Sequence, residues 1–206
     1  MSTSHGGGVS RGDLHGHDPL RVHEARERIL DAAYALFSRD GIHAVGIDRI
    51  IAEADVAKAT LYHHFSSKEA LVIAFLELRE RRWTRGWLER EAEQRATSPR
   101  GRGLAVFDAL DEWFHRPDFE GCSFINTLLE INDPHNPVHE ATIRHMDVVR
   151  GILQRYAEHA HASDPEQTGY QLQILLMGAI VSASRGDVDA ARRARPPAAM
   201  LLAQSA

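Results

Sequence analysis

An all-α fold is predicted from three observations: a 3.6-residue apolar period that starts near His23 and hardly lapses, no long stretch of strict alternation, and chain breakers spaced at helix length. Residues 1–21 hold five glycines and no period, so a disordered arm is expected there; its His5, His15 and His17 read as solvated groups, and Arg11 as a residue that could reach a groove. Ile29, Ala33, Leu36 and Phe37 share one face of a first helix, and Gly41 falls where a left-handed C-cap belongs. Short helices follow over Ile47–Ala54, with Ile47, Ile50, Ile51 and Ala54 inward, and over about Ala57–Phe65, burying Leu61 and Phe65. Ser66 and Glu69 read as a capping box opening a longer helix, about 67–92. Along it Leu71, Phe75 and Leu78 form one stripe, and Leu76, Trp83 and Trp87 another, rotated by more than a right angle. Such a helix serves two cores and connects two domains. Past a break at Ser98-Pro99-Arg100-Gly101, helices are expected at about 103–115, 121–132, 137–161 and 165–185, with a short one after Pro196. Asn136-Pro137 and Asp164-Pro165, the latter with Gln167, mark helix starts.

The 206 residues are 43% hydrophobic and 26% charged, which excludes collagen-like, fully disordered and disulfide-scaffold classes. The longest apolar run, Ile174 to Ala183, is interrupted by Gly178 and Ser182 and is far short of the roughly 20 residues of a membrane span. With no apolar signal segment and one cysteine, Cys122, a reducing cytoplasmic setting is expected. The net charge of −5 argues against a nucleic-acid partner unless a local surface reverses it.

Residues 44–68 supply that surface. Two short helices joined by a tight turn and braced by longer ones describe a helix-turn-helix. Asp55 holds the turn position, where a left-handed residue is needed, Ala52 and Ala54 are small where the helices approach, and Val56, Leu61 and Phe65 fill the core. Outward from the second helix stand Lys58, Ala59, Thr60, Tyr62, His63 and His64, a set that can lie in a major groove with Lys58, Tyr62 and Lys68 on phosphates. From Glu24 to Lys68 the chain carries six cations and seven acids, but no acid lies between Val56 and Ser67, so the contact face is expected to be positive.

The run Asp55-Val56-Ala57-Lys58-Ala59-Thr60-Leu61-Tyr62-His63-His64-Phe65-Ser66-Ser67-Lys68 resembles the recognition-helix signature of the TetR family of bacterial transcriptional regulators, and Ile29 to Gly41 is similar to that family's opening helix. The resemblance implies a TetR-like architecture of about nine helices: an arm at 1–21, a helix-turn-helix domain at 22–68, and a ligand-binding and dimerisation domain at 69–206. It implies a homodimer on a palindromic double-stranded DNA operator, most often as a repressor, released by a small, largely apolar effector. Gly46, Ala57 and Ala59 depart from the family's threonine, serine and glycine. The first two changes remove side-chain caps, at Ala57 worth about 1 kcal/mol, so the DNA-contact set is Gly46, Ala57, Lys58, Ala59, Thr60, Tyr62, His63 and Lys68.

The 165–185 helix is apolar nearly all round. Tyr170, Ile174, Met177 and Val181 form one stripe, Leu172, Leu176, Ala179 and Ala183 the opposite one, and Gly178 and Ser182 permit close approach of a second copy. The dimer interface is expected at Tyr170, Ile174, Met177, Gly178, Val181 and Ser182. In residues 113–130, Trp113, Phe114, Cys122, Phe124, Asn126 and Glu130 mix aromatics with isolated polar groups, which suits a ligand site and equally a plain core. The alternatives are a redox-responsive regulator acting through Cys122 and a metal-responsive one acting through His135, His139 and His145 with Asp133 and Glu140, although Pro137 interrupts that spacing. No cofactor, resident metal or membrane partner is expected. The sequence has no glycine-rich phosphate loop, nucleophile elbow or paired acid/base set, which opposes an enzyme.

Overall fold

The computed structural model describes residues 19–203, with side chains from His23 onward; most of the expected arm, including His5, Arg11, His15 and His17, lies outside the described residues. The described chain is all helical, with no β-strand: α1 (Pro19–Asp40), α2 (Ile47–Ala54), α3 (Lys58–His64), α4 (Lys68–Arg79), a π-helical segment (Glu80–Glu89), α5 (Arg90–Arg95), α6 (Pro99–Phe114), α7 (Ser123–Glu130), α8 (Pro137–His159), α9 (Pro165–Ser184) and α10 (Ala190–Leu201). Since α4, the π segment and α5 form one continuous rod, the described residues make nine helical rods.

Three helix starts follow one chemical rule. Ser98, Asn136 and Asp164 each accept a hydrogen bond from the first turn (Gly101, Val138 and Gln167 N–H) and each is followed by a proline that needs no acceptor. Ser98-Pro99 is therefore a start rather than a break, and α6 begins at Pro99, earlier than the periodicity indicates. By the same preference for proline in a first turn α1 begins at Pro19, inside the stretch expected to be arm. The cap of α4 is Ser67, not Ser66: its hydroxyl accepts from Ala70 N–H at 3.1 Å.

Helix α10 overrides two prolines. Pro196 and Pro197 leave the Arg192 and Arg193 carbonyls without helix partners, but both prolines face solvent, where water can serve those carbonyls. On the opposite side Ala190, Ala191, Ala194, Ala198 and Leu202 are buried at helical spacing, so packing carries the helix through from Ala190.

Two cores result. One joins α6, α8, α9 and α10 with the rod's distal half, around Phe107, Leu110, Leu153 and Leu176. The other joins α1–α4 around Ile29, Leu61 and Phe75, and it also takes in Phe124, Val138 and Ala141 from α7 and α8. Leu76 belongs to this second core, not to the distal stripe, while Trp83, Leu88 and Ala92 supply the other. The change of face occurs at the π segment, whose wider i→i+5 turns rotate the helix surface. A Cβ on Gly86 would sit 2.7 Å from the Arg81 carbonyl five residues back, so the segment needs glycine there.

Candidate functional site

The helix-turn-helix is built from a left-handed hinge. Asp55 has φ 50° and ψ 57°, and its backbone N–H and that of Val56 return to the Ala52 and Ile51 carbonyls, which turns α3 away from α2. Ala54 and Ile50 are buried at the crossing, while Ala52 faces solvent and is not part of the close approach. Leu61 and Phe65 anchor α3 from beneath, leaving Lys58, Ala59, Tyr62 and His63 exposed and Thr60 half-buried. Gly46 and Ala57, at the N-caps of α2 and α3, have extended backbones and no side-chain cap. Ala57→Ser is expected to stabilise the fold by about 1 kcal/mol, raising Tm by about 2–4 °C in a thermal melt; an unchanged Tm would mean the α3 N-terminus is already satisfied by water.

Electrostatics within this face are set by contacts that cross between helices. Lys58 Nζ lies 3.1 Å from Asp48 of α2, with both groups exposed, so the pair is weak and easily exchanged for a phosphate. Arg49 is paired with Asp40 at 2.6 Å. The acid-free stretch of sequence is thus met by an acid from the neighbouring helix. Burial pushes the His64 imidazole below the ordinary histidine range, as do the nearby His63 and Arg26. Lys68, expected on a phosphate, is half-buried and turned inward: its Nζ donates to the Ile42 carbonyl at 2.6 Å, and burial lowers its pKa against the pull of Glu130.

Glu130, expected in a ligand site, instead joins the two cores. Its carboxylate accepts from Ile42 N–H at 3.2 Å and His43 N–H at 2.6 Å, in the turn after α1. Gly41, at φ 82°, makes this possible twice over, since it supplies the left-handed cap and a Cβ there would lie 2.6 Å from Glu130 Oε1. Glu130→Gln keeps the shape but points an amide N–H₂ at a backbone donor. A loss of about 1–2 kcal/mol in urea denaturation is expected, because the site is partly exposed; no loss would show the carboxylate contributes nothing net. A second join lies on the rod: His145 Nδ1 is 2.6 Å from Glu80 Oε2. Burial of Glu80 opposes its charge, but hydrogen bonds from His145 and Arg85 outweigh this and hold the carboxyl below its ordinary range. That contribution is present above the ordinary glutamate pKa and is lost as pH falls through the lowered one.

The other expected ligand residues separate. Trp113 lines a cavity of about 260 Å³ bounded by Tyr34 of α1, Arg79, Trp83 and Trp87 of the rod, and Arg116, Asp118 and Glu120 after α6. Phe114 is buried beside Trp113, with ring centroids 5.8 Å apart. Phe124 stacks on His145 at 5.6 Å, and with Cys122 it lines a neighbouring void of only about 20 Å³, room for about one water. Asn126 faces solvent. The spacing of Arg79, Trp83 and Trp87, four residues apart, marks them in the sequence, but the two tryptophans read there as core.

On α9, Leu172, Leu176, Ala179 and Ala183 enter the chain's own core. Tyr170, Ile174, Gly178 and Val181 are exposed, Ile174 to 68%, and Met177 and Ser182 are half-buried. Ile174 also borders a shallow apolar groove with Pro197, Met200 and Leu201 of α10. The suspected metal histidines do not converge: His135 is exposed, His139 Nδ1 lies 2.7 Å from the Ile131 carbonyl, and His145 is bound to Glu80. A different trio, Asp111, His115 and Asp189, does converge among the described residues, but Arg192 already neutralises both carboxylates, at 3.0 and 3.1 Å. Burial raises the Cys122 thiol pKa, away from the reactive thiolate. No helix among the described residues is long and apolar enough to cross a membrane.

Residues 29–75 match the family described as bacterial regulatory proteins, tetR family, and residues 101–197 the one described as tetracyclin repressor-like, C-terminal domain. The first curated relatives are 45% identical over 51 residues, and the chain spans about a quarter of their length. Two others align further: the transcriptional activator FasR of Mycolicibacterium smegmatis, 34% identical over 64% of this chain and 60% of that one, and the transcriptional repressor NemR of Escherichia coli, 25% identical over 78% and 84%. Among solved structures, a TetR-family transcriptional regulator from Streptomyces coelicolor superposes with a TM-score of 0.78 at 32% identity, covering 87% of this chain and 95% of that one. Motif, architecture and near full-length similarity converge, and the chain belongs to the TetR family of DNA-binding transcriptional regulators.

Proposed function

We propose that the chain is a homodimeric, ligand-responsive repressor that reads a palindromic operator with α3 and is released when a small molecule occupies the tryptophan-lined cavity. The observation that carries this reading is Tyr34. It sits in the cavity wall, yet it belongs to α1, the helix that braces the helix-turn-helix, so occupancy acts directly on the DNA-binding half. A ligand favouring the form whose recognition helices are wrongly separated draws the population away from DNA. In the binding form α3 and its twofold mate lie about 34–36 Å apart, one turn of the duplex. Lys58, Thr60 and Tyr62 are the residues assigned to phosphates and base edges, with Gly46, Ala57, Ala59 and His63 beside them. The exposed stripe on α9, continued by Met200 of α10, is the surface assigned to the dimer.

Repression is the simpler direction physically. A dimer seated on a promoter excludes polymerase by occupancy alone, whereas activation also requires a polymerase-contacting surface. The relative named a repressor aligns over more of this chain than the one named an activator. The test is selection from sheared genomic DNA, followed by transcription in vitro from the enriched fragment. One enriched palindrome whose transcript falls as protein is added is the expected result. No enrichment overturns the operator reading, and a rising transcript overturns repression.

A further inference from the structure

All three tryptophans of the chain, Trp83, Trp87 and Trp113, meet at the one cavity, with ring centroids 5.2, 5.5 and 5.8 Å apart. Two come from consecutive turns of the π segment and the third from α6, so flat apolar walls converge from two elements. At about 260 Å³ the space is at the small end of ligand sites, enough for one ring and a short chain.

The buried cation on its wall has no anionic partner among the described residues. Arg79 is 8% exposed, and among the described residues its guanidinium pairs with no carboxylate; it donates only to the Tyr34 hydroxyl, at 3.0 Å, and lies over the Tyr34 and Trp83 rings at 5.7 and 5.8 Å. A buried cation held by one neutral hydroxyl is costly unless an anion joins it. The acids at the cavity do not answer this need: Asp118 is exposed and held by Arg116 at 2.8 and 2.7 Å, and Glu120 is exposed to solvent.

We infer that the cavity binds a small planar monocarboxylate, an aromatic ring carrying a short acid chain, with its carboxylate on Arg79 and its ring among the indoles. The inference rests on the ligand-responsive reading only for its consequence. A carboxylate forms a charge-assisted bond to the guanidinium, about twice as strong as the neutral bond to Tyr34. Binding therefore competes for the arginine that links the rod to α1.

Because every tryptophan lies at the cavity, intrinsic fluorescence of the full chain reports this place alone. The probes are 3-phenylpropanoate, 3-phenylpropanamide and 3-phenylpropylamine, with excitation where a phenyl ring does not absorb. The carboxylate is expected to perturb the emission saturably and to bind at least about 10-fold tighter than the amide, with the amine weakest. Arg79→Gln, checked for helix content, should bring carboxylate affinity down to that of the amide. Tyr34→Phe, which keeps the ring and removes the competing hydroxyl, should tighten the carboxylate severalfold. Equal binding of acid and amide, tightest binding of the amine, no saturable binding by any probe, or no effect of Tyr34→Phe would each overturn the inference. Release of the operator is scored separately in a gel. Carboxylate binding without release leaves the site standing and removes the effector role, while release without any change in emission removes the site and leaves the effector role.

Discussion

Alanine at Lys58, Thr60 and Tyr62 together is expected to weaken operator binding by at least about 100-fold while leaving the fold intact. The twofold axis doubles the substitution, so even about 0.5 kcal/mol from each of six lost side chains comes to about 3 kcal/mol. The fold has little at stake: Lys58 and Tyr62 are exposed, Thr60 is half-buried, alanine is the strongest helix former, and the one ion pair lost, Lys58 with Asp48, lies open to solvent. Loss of one lysine per protomer should also flatten the salt dependence, by about two in the slope of log K against log salt. A triple variant that shifts the selected operator at wild-type concentrations would place the reading surface elsewhere. Lys68 is left out deliberately, since its ammonium holds the Ile42 carbonyl and its removal would confound contact with architecture.

The second large effect is expected on α9. Ile174→Glu with Val181→Glu should convert the protein to single chains in sedimentation and cost operator affinity by about 1000-fold or more. In one chain both side chains face solvent, at 68% and 45% exposure, so the carboxylates cost the protomer almost nothing. Across a twofold interface the same groups are buried against their own copies, unpaired and alike in charge, a penalty of several kcal/mol. A dimer that survives would remove α9 from the interface. The next apolar surface to test is then Leu129 and Ile143, on α7 and α8, at 74% and 40% exposure.

The sequence disclosed what is local. Asp55 at the turn, Gly41 at the cap, the cap-and-proline starts at Asn136-Pro137 and Asp164-Pro165 and the inward stripe of α9 are each decided within a few residues, and the structure has them in place. What it hid depends on distant segments meeting. Nothing near Lys58 announces that Asp48 will neutralise it, and nothing near Glu130 that its partners are backbone groups 87 and 88 residues away. Pro196-Pro197 reads as a stop because the alanine face that carries α10 past it acquires meaning only against α6 and α9. The two rod tryptophans look like core until the π segment brings them to the mouth of a cavity beside Arg79.

Phe124, Val138 and Ala141 lie in the same hydrophobic cluster as α1–α4. The boundary that sequence places at residue 68 is therefore not a line along which the molecule can come apart. Heated in a calorimeter, such a chain gives one endotherm rather than two, because melting either half strips apolar surface from the other. A fragment ending at residue 68 would lose the rod side chains and the three foreign ones that close its core. The proposed operator recognition would for the same reason belong to the whole cooperative unit, although most of the groups assigned to DNA lie on a single seven-residue helix and its flanks.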